Sequence, residues 1–331
     1  MDPRGFCRQS RVVIVAGKGG VGKTTVTAAL ARLAARLGLS VLVIEVEGKS
    51  GLAATFGAED LTYDESVLSP ATSAAGPSGA SSGTSSGEVR GRTISADLAL
   101  VEYLEEHGMK RMSRRLVRSG AVDVVATATP GIKDILVLGK VKQLERAGVA
   151  DLIVLDAPAS GHAVRFLMSP RALVDTVDAG PIEAQATEVL DMVTDPARCQ
   201  VLLVTLPEET PVNEVVETAY SLEDKVGTNL GPVVVNGLYP VRTGLDIDPA
   251  AAAEALDFGL RAGEADALRA AAEFRMRRQA LQAAQVARLA DALALPQLRL
   301  PALFDVAMGL PQIDRLADAL TTEIEALEAA P

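Results

Sequence analysis

From Gly17 to Thr24 the chain reads GKGGVGKT, and the G-x-x-x-x-G-K-[ST] spacing is that of a loop that wraps a phosphate chain. Gly17, Gly19, Gly20 and Gly22 let the backbone turn tightly, so that several N–H groups face one anion. The predicted cradle comprises Gly17, Gly19, Gly20, Val21, Gly22, Lys23, Thr24 and Thr25, and the helix that follows aims its positive end at the same point. Lys23 brings a charge to the β- and γ-phosphates, and the Thr24 hydroxyl is a ligand for Mg²⁺. Further along, DLIVLDAP is an apolar strand ending in Asp156, a carboxylate placed to hold Mg²⁺ through a water. Taken alone, Asp156 also suits the capping of a turn. The ligands these residues imply are the phosphate chain of a nucleotide and Mg²⁺. Lys18, a second lysine inside the loop, has no part in that logic; by itself it reads as a solvated side chain. Asn236, in VVVNGLYP, has an amide that both donates and accepts, as the edge of a base requires; the plainer alternative is an Asn that starts a turn.

Such residues must be held by a sheet. RVVIVAG and SVLVIEV read as buried strands flanking KTTVTAALARLAARLG, an Ala/Leu-rich helix that stops at Gly38. DLIVLDAP, QVLLVTLP, GPVVVNGLYP and QLRLPALFD supply further strands between helical stretches. The expected fold class is α/β: a doubly wound, mostly parallel sheet in a single domain, 1–331, with an added helical lobe. Residues 69–93 are Gly/Ser-rich and are expected to form a flexible surface loop. Residues 97–150 and 249–293 are expected to be helical insertions that form the lobe. Near the C-terminus Ile313, Leu316, Leu320, Ile324 and Leu327 share one helix face, which predicts a helix docked on the sheet.

Hydrophobic residues make up 48% of the 331 residues and aromatics 3%, with no Trp, so an aliphatic core is expected. The net charge of −11 argues against a nucleic-acid-binding surface. Cys7 and Cys199 are too few and too far apart for a disulfide framework, which suits a reducing cytoplasm. The N-terminus lacks an apolar signal region and no segment is long enough to span a membrane, so a cytoplasmic protein without an integral membrane segment is expected.

KGGVGKTT resembles the deviant Walker A loop of the MinD, ParA, nitrogenase-iron-protein and ArsA group. That resemblance implies that Lys18 crosses a dimer interface to the partner's nucleotide and stabilises charge on the transferring phosphoryl group. DAPASGHAVRFL resembles the switch DTAPTGHTLRFL of the ArsA/Get family of arsenite-pump and tail-anchored-protein-targeting ATPases, with Asp156, Gly161, His162, Arg165, Phe166 and Leu167 at the family spacing. PGIKDILVLGKV, ADLALVEYL, VVVNGLYP and LPALFDVAMGLPQIDRL extend the likeness over nearly the whole chain. In the family the Asn of VVVNGLYP recognises adenine, which implies that role for Asn236; His162 would be conformational rather than a base. EVEGKSGLAATF departs from the family's STDPAHNLSDAF. It puts Glu47 where an aspartate orients the attacking water, and Gly51 where the family has Asn. A surface Glu is the alternative for Glu47; as the water-orienting group, its extra methylene moves the carboxylate by over ~1 Å, enough to slow hydrolysis.

EFRMRRQALQ has no Cys where eukaryotic relatives hold an intersubunit zinc, so no zinc is expected. Two remote cysteines do not form a three-thiolate arsenite site. The resemblance implies an Mg-ATP-dependent dimeric ATPase, either a homodimer or a heterodimer with a paralogous ATPase, that switches a protein client or partner. The alternatives are a tail-anchored-protein chaperone with a hydrophobic client and a low-turnover nucleotide-binding scaffold; an arsenite pump has least support.

Overall fold

The computed structural model describes residues 1–46, 51–71, 87–106, 108–109, 111, 131–158, 160–176 and 180–327. Among them, β1 (Val12–Gly17), β2 (Val41–Val46), β3 (Ser66–Ser69), β4 (Val89–Ile94), β5 (Leu152–Asp156), β6 (Cys199–Thr205), β7 (Val233–Leu238) and β8 (Gln297–Pro301) form one sheet. Its order is β3-β4-β2-β5-β1-β6-β7-β8. Every neighbouring pair is parallel except β3 with β4. The helices are α1 (Pro3–Phe6), α2 (Lys23–Arg36), α3 (Leu52–Thr55), α4 (Ala96–Glu106), α5 (Ile132–Ala147), α6 (Ser160–Val174), α7 (Pro181–Thr194), α8 (Glu209–Lys225), α9 (Pro249–Ala255), α10 (Glu264–Ala292) and α11 (Leu310–Ala326).

The period-2 alternation of a strand sorts its side chains into two layers. Val12, Ile14 and Ala16 of β1 enter one core with residues of α5, α6, α7 and α8. Val13 and Val15 enter the other with α2 and α11. Because both faces are covered, the interior strands are apolar nearly throughout. On α11, Ile313, Leu316, Leu320 and Ile324 are all buried, and the helix packs on α2 and β8. Two ion pairs, Arg32–Asp314 and Arg36–Asp318, both 2.7 Å, tie it to α2. The docked C-terminal helix expected from its apolar face is therefore present.

The stretch expected as a loop, 69–93, differs at both ends. Ser69 closes β3, and Val89–Ile94 is a sheet strand between β2 and β3; residues 72–86 lie outside the described ones. Local composition hides β4 because it carries arginines. Arg90 pairs with Glu65 at 2.5 Å, and the Arg92 guanidinium lies 4.6 Å from the centre of the Tyr63 ring. These partners come from the segment between α3 and β3, so charged side chains become acceptable within the sheet.

Within 97–150, α5 lies on the sheet, with Leu136, Leu138, Val141 and Leu144 in the core. Within 249–293, α10 runs for 29 residues and buries only Gln282 and Leu289, packing on α8 and α9. Among the described residues, no helix is long and apolar enough to cross a membrane.

Candidate nucleotide site

The phosphate loop leaves β1 where the sheet's connections reverse: β5 and β2 lie on one side, β6 and β7 on the other. Ligands bind open parallel sheets at this kind of crevice. Gly17 has φ +150°, and a Cβ there would stand 2.3 Å from the Val204 carbonyl oxygen of β6. Only glycine fits so close to the neighbouring strand. Val21 anchors the loop from within, buried in the core shared with α2, while Gly19 and Gly20 are exposed at its surface. Gly22, in the left-handed region, is the N-cap of α2.

Lys23 opens that helix. Its side chain is largely buried, and Nζ donates to the Lys18 carbonyl oxygen at 2.9 Å. It therefore curls back over the loop. Thr24 follows, and its hydroxyl donates to Asp156 Oδ2 at 2.7 Å. Asp156 is fully buried. The β1–β5 register places it beside Val15, which brings two residues 132 positions apart into one contact. A hydroxyl and a carboxylate at the mouth of a helix are hard oxygen donors of the kind magnesium selects. Thr25 lies in the first turn of α2.

Asn236, on β7, donates from Nδ2 to the Val21 carbonyl oxygen at 2.9 Å. Its amide thus braces the loop from behind, a contact that the base-recognition reading did not anticipate. Lys18 forms an ion pair with Glu214 of α8 in the same chain. Glu47 lies outside the described residues. Gly161 and His162 fall in the first turn of α6. Farther along that helix, Phe166 and Leu167 are buried core residues.

Two carboxylates here were not singled out from the sequence. Glu214 is one. Glu45 is the other: it is buried on β2, beside Asp156 in register, and accepts from the Leu52 N–H at 3.1 Å. It ties the start of α3 to the strand end and so brackets the segment that contains Glu47. A lone acid closing an apolar strand, VLVIEV, was the available signal. Among the described residues, no cluster of three or more His, Cys, Asp or Glu is arranged to hold a metal ion. Cys7 and Cys199 are buried in the two opposite layers, where burial pushes each thiol up to about 12.

The model of the CobQ/CobB/MinD/ParA nucleotide binding domain matches residues 12–325. The ATPase BagA of Mycobacterium tuberculosis is 33% identical over 331 residues, covering 95% of this chain and 93% of that protein. The ATPase get3 of Schizosaccharomyces japonicus is 27% identical over 161 residues, 49% of this chain and 44% of its own. The arsenical pump-driving ATPase of Escherichia coli is 26% identical over 238 residues, 68% of this chain and 39% of its own. The chain belongs to the CobQ/CobB/MinD/ParA nucleotide-binding family, and it is a P-loop ATPase of the ArsA/Get type.

Proposed function

We propose that this ATPase is a dimeric switch in which Mg·ATP closes two facing subunits and hydrolysis lets them part. The observation that carries the reading is the meeting of Thr24 and Asp156 at 2.7 Å beneath a lysine curled over the loop. Lys23 and the N–H groups at the start of α2 bind and orient the phosphate chain. Thr24 Oγ1 and, through a water, the Asp156 carboxylate would hold magnesium, which when bound offsets charge on the β- and γ-phosphates. Asn236 reads adenine through its amide, which both donates and accepts. Glu47 orients the attacking water, at a rate set by its longer reach.

Lys18 reaches the partner's phosphates across the interface. The partner is a second copy or a paralogous ATPase, and the setting is the cytoplasm. The helices of 249–293, with the part of 97–150 outside the sheet-packed α5, act as the lobe that grips or releases a protein client. Apolar exposure on α10 and in the connection before it supports a hydrophobic client: Phe274 of α10 and Phe258, between α9 and α10, are each 66% exposed, and exposed apolar surface of this kind suits an interaction site. A tail-anchored-protein chaperone is therefore the second reading.

Steady-state phosphate release with Mg·ATP, against a Lys23→Ala control, tests the enzyme. Lys18→Ala tests the cross-dimer role: nucleotide binding is expected nearly intact and hydrolysis reduced, and normal hydrolysis would refute it. Glu47→Gln, purified with Mg·ATP and analysed by mass spectrometry, identifies the client. Membrane proteins with apolar C-terminal segments would favour the chaperone. A second P-loop ATPase without such clients would favour the paired switch.

A further inference from the structure

We propose that Glu214 is a latch in cis, holding Lys18 against its own subunit until a nucleotide-loaded partner competes for it. The inference rests on the reading of Lys18 as a phosphate-facing lysine. The two residues are 196 positions apart, and the fold alone brings Lys18 Nζ onto Glu214 Oε1. Their side chains are 41% and 32% exposed, so the pair sits at the rim of the loop, where a ligand can displace it. The second carboxylate oxygen, Oε2, is buried with no hydrogen-bond partner among the described residues. Glu214 therefore leans on Lys18 to offset a charge that the protein otherwise satisfies poorly. Lys18 cannot serve a phosphate chain with the same geometry while it serves Glu214. A triphosphate carries more charge than one carboxylate and wins when it is presented at close range.

The latch also has a connection outward. Glu208, the N-cap of α8, pairs with Arg278 of α10, and Arg288 of α10 donates to the Glu209 carbonyl oxygen at 3.0 Å. The helix that holds Lys18 is thus the one on which α10 is seated. Transfer of Lys18 to a partner's phosphates removes the charge contact at one end of an α8–α10 unit.

The test compares wild type with Glu214→Gln in steady-state ATP hydrolysis over a range of protein concentrations. A fluorescent ATP analogue and the urea unfolding midpoint serve as controls. Removing a partly exposed charge competitor is expected to raise the rate at low protein concentration roughly threefold to tenfold. The concentration giving half the maximal rate falls, while analogue affinity and midpoint stay unchanged. Lys18→Ala combined with Glu214→Gln shows no gain. An unchanged or lower rate in Glu214→Gln with affinity intact overturns the latch, as does a gain that persists without Lys18.

Amine labelling of the nucleotide-free protein, read by mass spectrometry, decides the matter without turnover. Labelling at Lys18, referenced to Lys225, is expected to rise at least about threefold in Glu214→Gln. Equal labelling refutes the latch, whereas a wild type that labels as expected but hydrolyses nothing refutes the ATPase reading alone.

Discussion

Replacing Gly22 with alanine would set a methyl carbon 2.2 Å from Asn236 Nδ2. Two costs follow. The first is conformational: Gly22 has φ +91°, and an L-residue in the left-handed region costs about 1–2 kcal/mol. The second is a lost contact. The carboxamide is the end of a flexible side chain, so it swings away and gives up its 2.9 Å bond to the Val21 carbonyl oxygen, about 1 kcal/mol. Gly22→Ala should therefore destabilise the nucleotide-free protein by about 2–3 kcal/mol, and Asn236→Ala by about 1 kcal/mol. In the double variant the same hydrogen bond is lost only once. The total should stay at about 2–3 kcal/mol, a coupling of about 1 kcal/mol relative to additivity. Urea unfolding of the four proteins measures this. Strict additivity would refute the brace. The same set separates the brace from base recognition. If Asn236 only supports the loop, Asn236→Ala weakens ATP and GTP binding by one common factor of about fivefold. If it also reads adenine, the loss for ATP exceeds the loss for GTP.

Three further outcomes are expected. Lys23→Ala should lower affinity for Mg·ATP by more than about tenfold in calorimetric titration, because the charge over the loop is gone. Leu320→Ala, which opens a hole between α11 and α2 where Leu320 is 2% exposed, should cost about 2–5 kcal/mol in urea unfolding. Glu188 is held below its ordinary value of 4.5, first by the hydrogen bond from Lys142, which outweighs the opposing effect of burial, and then by the charges of Lys142 and Arg146. A depressed carboxylate stabilises the fold above its unfolded pKa and loses that contribution as pH falls through the folded one. Glu188→Gln should therefore flatten the acid limb of the unfolding midpoint below 4.5, and an unchanged limb would count against the pair.

The sheet interior was legible because parallel strands covered on both faces must be apolar along their length, and VVIVAG, VLVIEV and LIVLD are close to that limit. Strand β4 was not legible. VRGRTI reads as strand only when Glu65 and Tyr63 are known to receive its arginines, and nothing local announces those partners. The phosphate loop and Asp156 were legible because each is a short motif ending a strand. The Lys18–Glu214 pair was not, since α8 reaches the loop only through the packing of β6 beside β1. Phe166 and Leu167 illustrate the converse: residues that helped mark the family switch prove to be core side chains.

Cys7 and Cys199 give the two sides of the sheet separate clocks. Neither thiol is a thiolate near neutral pH while buried, so each reacts with an alkylating reagent only when its own layer opens. The rate of capture at Cys7 times the opening of the α2–α11 side, and that at Cys199 times the α5–α8 side. Equal rates mean that the protein opens as one body. Unequal rates, altered on one side alone by nucleotide, identify the layer through which a bound phosphate chain is felt.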